Sequence, residues 1–403
     1  SDFQQFVDAA HQRGVAVMLD SVYGHTSEDF TYCDLYRRLK YQANPFLGAF
    51  AKDYFGQSTD FALQFTQDFF YTVNQFWLEH FHVDGFRYDC VPNYWDGPLG
   101  VGYANLVYST YQMVKGLALP GTHWQRFAGA NQLNLIQCAE QLEDPAGVLQ
   151  QSYSNCTWQN GTLGAAQAVA RGDFGAIYRL GLGLGLEGYP ETATTGNDTF
   201  PRTALQYIEN HDHERFVCNF GMERQSEGLL QNGNRDLWFK VQPYLIGLLT
   251  AKGIPMLWQG QEFTENYWVP PEGFGRVLLF RPVRWDYFYD TVGTATERLV
   301  RKLLRLRRQR DEFRRGQHFF YNDWDRYQSR GLLLFSRASG NQFSVVALNF
   351  SDSDQTVPFY FPLAGTYAEQ LHGNAADLLQ NVPALAETAL TIPSHYGRVW
   401  SKV

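Results

Sequence analysis

The chain has 403 residues, 44% of them hydrophobic and 16% aromatic, with a formal net charge of −8. That is enough apolar material for one large core and a smaller second domain, which excludes a disordered chain. No basic stripe is present for a phosphate backbone or an anionic lipid surface, and no apolar run approaches the roughly 20 residues of a membrane-spanning helix, so neither nucleic acid nor membrane is expected as a partner.

Taken in chain order, residues 1–13 predict a helix stopped by Gly14, and VAVMLD (15–20) is an apolar run short enough for a buried parallel strand. The same unit recurs as an amphipathic helix over 61–81 and the strand HVDGFRYD over 82–89. A helix over 102–118 leads to the strand NLIQCAE (134–140), and 152–158 is a weaker strand. The strand 203–210, the helix 236–253, the strand 254–260 and the helix 297–313 follow. Helix follows strand throughout, which predicts parallel pairing through βαβ crossovers. Six strands are two short of a closed eight-stranded barrel. The expected fold is therefore α/β, a (β/α)8 barrel over residues 1–314 that lacks its first two strands in this chain. A missing N-terminal fragment or a partner chain is the expected means of closing it.

After residue 315 the texture changes to alternating segments such as GLLLFSR, QFSVVALNFS and QTVPFYFP between turn residues, which predict an antiparallel β-sandwich over 315–403. The stretch from about 21 to 60 has no strong periodicity and is longer than a simple connector, as expected of a loop that helps to build a site. The five cysteines include no CxxC spacing and read as free thiols, a pattern that leans toward a reducing, cytoplasmic compartment.

Three acids sit at the ends of predicted strands: Asp89 in GFRYDC, Glu140 in NLIQCAEQ and Asp212 in YIENHDHERF. Arg87 and Asp89 are two residues apart on a strand and share a face, so the guanidinium keeps that carboxylate ionised. A structural ion pair explains the same spacing. Glu140 emerges from an apolar run that would favour its protonated form, although a solvated acid among the four of AEQLED explains it equally. The row His211, Asp212, His213, Glu214 has the look of a metal site, and a metal-dependent amidohydrolase-like barrel drawing on His25 or His82 is the rival from another class.

Together the segments DSVYGH, GFRYD, AE and ENHD, in that order, resemble the motif set of the α-amylase family of glycoside hydrolases, over most of residues 1–313. GIPMLWQGQEF (253–263) and RPVRWDYF (281–288) resemble the branching-enzyme and trehalohydrolase side of that family. The resemblance implies Asp89 as nucleophile, Glu140 as general acid/base and Asp212 as transition-state stabiliser, with Asp20, Tyr23, His25, Arg87 and His211 holding the sugar. It implies a retaining double displacement, the carboxylates of Asp89 and Glu140 about 5–5.5 Å apart. Hydrolysis of α-1,4-linked glucans is the first expectation; glucan branching or trehalohydrolase-type chemistry is the alternative. Two departures stand out. Gly24 precedes His25 where many members carry an Asn that serves a structural calcium, so that site is doubtful and no metal or other cofactor is expected. Pro92-Asn93 replaces a Lys-His pair on the acceptor side, so acceptor binding is expected to differ.

Overall fold

The computed structural model describes residues 1–27, 29–41, 43–48, 57–130, 132–223, 231–270, 280–372 and 378–403. Two compact units divide the chain, one of Ser1–Trp158 with Gly188–Ala204 and one of Gln159–Glu187 with Leu205–Val403.

In the first unit the strands Met18–Ser21, Gly85–Tyr88, Ile136–Ala139 and Cys156–Gln159 pair in parallel in that order. Helix Asp2–His11 precedes the first of them, and Gln64–His80 and Tyr103–Leu117 form between them, each at the place its patterning predicts. Ser1 and Gln4 close the first helix with a reciprocal capping box. Along Gln64–His80 the buried residues Thr66, Phe70, Asn74 and Leu78 recur every four positions and form one inward stripe. Asn74 is tolerated there because its amide is used fully: its oxygen accepts from the Tyr23 hydroxyl and its nitrogen donates to Tyr88 and Thr110.

The pairing register is set by close backbone approach. Gly85 has φ +155°, and a Cβ there would fall 1.9 Å from the Ile136 carbonyl oxygen, so the glycine of GFRYD is what lets its strand lie against the next one. In register, Asp20, Arg87, Cys138 and Cys156 then stand side by side in one row. The loop excursion carries a helix, Thr31–Arg38, and a two-residue pairing of His25–Thr26 with Gln57–Ser58. Residues 28, 42 and 49–56 of that excursion lie outside the described residues. A hairpin of Thr192–Thr195 with Asp198–Pro201, turning at Gly196, adds an element that the alternating Thr and polar residues there did not announce.

In the second unit the strands Thr203–Gln206 and Ile254–Pro255 pair in parallel at Leu205 and Gln206. The predicted helix 236–253 divides into a 3-10 segment, Arg235–Val241, and an α-helix, Gln242–Thr250. Pro243 lies in the first turn of the latter, where its missing N–H costs no hydrogen bond. Helices Asn160–Ala170 and Ala176–Leu184, rich in Ala and Gly, were not among the predicted elements. The C-terminal strands form a six-stranded antiparallel sheet and a two-stranded one, Gln355–Tyr360 with Glu387–Ile392. Alternation decides what each strand buries. Leu332, Leu334, Val345 and Ala347 join Val357, Phe359, Leu390 and Ile392 in the core between the sheets. Leu333, Phe335, Val346 and Leu348 point the other way and pack with Ile246, Leu249, Leu299 and Leu303 of the helices. This second core ties the C-terminal sheet to helices that precede residue 315.

Candidate active site

Strand ends and register assemble the site in the first unit. Asp89 directly follows the strand Gly85–Tyr88 and Glu140 directly follows Ile136–Ala139. Arg87, 3% exposed, is the hub. Its Nη1 donates to Asp20 Oδ1 and to Asp89 Oδ1, each at 2.6 Å, and its Nη2 stands 2.9 Å from Glu140 Oε2. Burial works against the Arg87 cation, but Glu140, Asp20 and Asp89 outweigh it, and its pKa is raised above the ordinary arginine value.

Glu140 is buried, as its apolar strand predicts, yet its surroundings are not purely apolar. Besides the guanidinium, the Cys90 backbone N–H donates to Oε2 at 2.7 Å. Cys90 delivers that N–H because it sits in the left-handed region at φ 42°, ψ 52°, a conformation unusual for a non-glycine residue. Burial and then the charges of Asp89 and Glu140 push its thiol up to about 12, which favours the neutral form. His25 lies close enough to feel the Asp89 charge, which opposes the lowering of its pKa by burial.

Tyr23 stands apart from the other expected sugar-holding residues. It is 6% exposed, its ring packs at 4.5 Å on Phe70, and its hydroxyl donates to Asn74, so its ring face belongs to the core. The neighbouring Gly24 has a steric reason. A Cβ at that position would lie 2.8 Å from the Tyr94 ring, while the Asn93 amide donates to the Gly24 carbonyl. Asn93 and Tyr94 are themselves buried, so the segment after the candidate nucleophile braces the loop that carries His25.

Asp212 and His211 belong to the second unit. The strand there ends at Gln206, and Tyr207, Ile208, Glu209 and Asn210 continue buried without ladder pairing, so Asp212 stands well beyond the strand end where the apolar run placed it. The segment is held by Glu209, which accepts from Arg215 Nη1 at 3.1 Å and from the Phe216 backbone N–H at 2.8 Å. Burial raises the Glu209 pKa and Arg215 opposes it. The Asp212 backbone N–H donates to Asn210 Oδ1, His211 Nε2 is 3.6 Å from Asp212, and Arg281 donates to the His211 carbonyl. His213 is engaged through Nδ1 with Asn210 Oδ1 at 2.6 Å. Among the described residues no group of three or more His, Cys, Asp or Glu stands where it could hold a metal ion.

Two participants were not singled out in the sequence. Trp158, on the strand Cys156–Gln159, lies under the guanidinium with its ring centre 4.3 Å from Arg87 Cζ. The Cys90 backbone is the other. A tryptophan in a strand reads as core, and only the register across three strands places it beneath Arg87.

Residues 324–401 match the family described as the α-amylase C-terminal all-beta domain. The 1,4-α-glucan branching enzyme GlgB of Pseudomonas fluorescens is 25% identical over 453 aligned residues, covering 96% of this chain and 54% of that protein. The GlgB of Thiobacillus denitrificans is 34% identical over 131 residues, 31% of this chain and 15% of that one. The chain thus spans about half the length of the curated relatives it matches. Among solved structures, an Anoxybacillus α-amylase superposes with a TM-score of 0.70 at 17% identity, covering 100% of this chain and 79% of that one. The Nostoc punctiforme debranching enzyme gives 0.68 at 16% identity, covering 99% and 78%. The shared fold is the parallel-stranded barrel with a C-terminal antiparallel β domain. The four motifs in order, the row of acids around Arg87 and these matches together support a likeness to the α-amylase family, with an affinity to its glucan branching enzymes.

Proposed function

We propose that the chain carries the catalytic machinery of an enzyme that cleaves α-1,4-linked glucans with retention of configuration. The observation that carries this reading is the single buried guanidinium that Asp20, Asp89 and Glu140 share. One cation holding two strand-end carboxylates in fixed relation is what a nucleophile and acid/base pair require. Asp89, oriented by Arg87, attacks the anomeric carbon as Glu140 protonates the departing sugar oxygen. Glu140 then takes a proton from the acceptor that releases the glucosyl group from Asp89. Asp20 and His25 bind the sugar hydroxyls; for Asp212 and His211, which belong to the second unit, the roles of charge stabiliser and hydroxyl ligand are those the family resemblance implies. The organisation into a barrel over 1–314 and a β-sandwich over 315–403 belongs to this reading.

With water as the acceptor the enzyme is a hydrolase. The matches to branching enzymes favour a second reading, in which a sugar hydroxyl is the acceptor and an α-1,6 branch forms. Product analysis on amylose decides between them: new reducing ends without branches mark hydrolysis, branches without a matching rise in reducing ends mark transfer. Neither product from the folded protein overturns the proposal.

A further inference from the structure

We infer that Trp158 is a positioning residue for this reaction, one whose indole face sets the plane of the Arg87 guanidinium; the inference rests on the glucan-cleaving reading above. A guanidinium serves three carboxylates at once only in one plane. Nη1 must reach Asp20 and Asp89 while Nη2 faces Glu140, and a modest rotation about the Cδ–Nε bond breaks that arrangement.

In many buried arginines an in-plane bond from Nε fixes this rotation. Here Nε is buried and has no hydrogen-bond partner among the described residues, so nothing on that edge locks the group. Asp89 and Glu140 restrain the ends of the fork, but Asp20, with 58% of its side chain exposed, holds its edge only weakly. The flat surface below supplies the remaining restraint. Trp158 is 4% exposed, and its ring centre lies 4.3 Å from Arg87 Cζ, within stacking range. Its strand is the second neighbour of the Arg87 strand, with Ile136–Ala139 between them, so the indole reaches the guanidinium across the row of small Cys138.

The role acts through Arg87, so the test separates positioning from bulk. Trp158→Phe keeps an aromatic face and Trp158→Leu removes it. On amylose, Trp158→Leu is expected to lower kcat roughly ten- to thirtyfold with KM within about threefold, and Trp158→Phe to stay within about threefold of the parent in both. A Trp158→Leu enzyme with the parental kcat, or equal losses in both variants, overturns the inference. Two readouts do not depend on turnover. In a thermal double-mutant cycle, Trp158→Leu should lower Tm by about 2 °C less in an Arg87→Met background than in the parent; additive losses overturn it. In the unsubstituted protein, the arginine side-chain resonance that disappears in Arg87→Lys should lie upfield of the others, shifted by the indole ring current. A resonance in the ordinary position overturns it even where Trp158→Leu fails to fold. A parent chain that acts on no glucan overturns the proposed function, while the cycle and the resonance still decide the role of Trp158.

Discussion

Replacing Arg87 with Met keeps the length of the side chain and removes the charge that three carboxylates share. Asp20 has 58% of its side chain exposed and turns to water, but Asp89 and Glu140, at 19% and 10%, stay in place without a cation. Removing one partner of a buried ion pair costs about 3–5 kcal/mol. The lower end applies here, since the Cys90 N–H still serves Glu140 and Asp20 escapes, so about 3 kcal/mol is expected at pH 7. On a chain of this size that corresponds to a fall in Tm of about 3–4 °C. Denaturant titrations of both proteins at pH 7 measure the loss, and equal stability would refute the reasoning. Glucan turnover is expected to fall at least about 100-fold, because the two reacting carboxylates lose their common anchor.

Asp89→Asn is expected to abolish turnover with an unchanged circular dichroism spectrum, and substantial residual activity in pure protein would remove Asp89 from its role. Gly24→Ala places a Cβ 2.8 Å from the ring of Tyr94, which is 1% exposed, so a loss of about 1–3 kcal/mol is expected by denaturant titration. Incubation with EDTA is expected to leave Tm within about 1 °C of the untreated protein, whereas a large drop would reveal a bound cation that supports the fold. For His25 the pKa is lowered, burial being the larger cause, so below about pH 6.5 the unfolded chain takes a proton that the folded one resists, and stability is lost as pH falls. His25→Gln should accordingly lose less stability than the parent between pH 7 and pH 5; equal losses would show that His25 is not a source of the acid sensitivity.

Local arrangement was legible wherever two residues belonged to one element. Arg87 and Asp89 share a strand face by the period of two, and their 2.6 Å contact follows from that spacing. Asp89 and Glu140 sit directly after their strands because each apolar run ends at the rim. Asp212 was placed correctly on its chain segment but not on its strand. YIEN has the composition of a strand and is buried like one, yet Glu209 uses its carboxylate to clasp Arg215 and Phe216, and the backbone leaves the ladder after Gln206. Burial and strand pairing leave the same trace in composition, so a buried irregular segment reads as a strand.

What escaped the sequence has a common cause: it depends on contacts between elements. Gly24 read as the absence of a calcium-serving residue, but its neighbours show a positive requirement, since Asn93 and Tyr94 fill the place a side chain would take. Asn93, with Pro92, read as a change in acceptor binding, and Asn93 is a buried brace. Trp158 ended a weaker predicted strand and drew no role there, but it is buried, and the register of three strands turns its face into a platform for the cation at the centre of the site. A motif search sees Asp89, Arg87 and Glu140 because their chemistry restricts which residue types can serve. It passes over Trp158 and the Cys90 backbone because an aromatic face or an N–H at that point is compatible with many sequences. The residues that orient the reacting groups are therefore less legible than the reacting groups themselves, and kcat should respond to both.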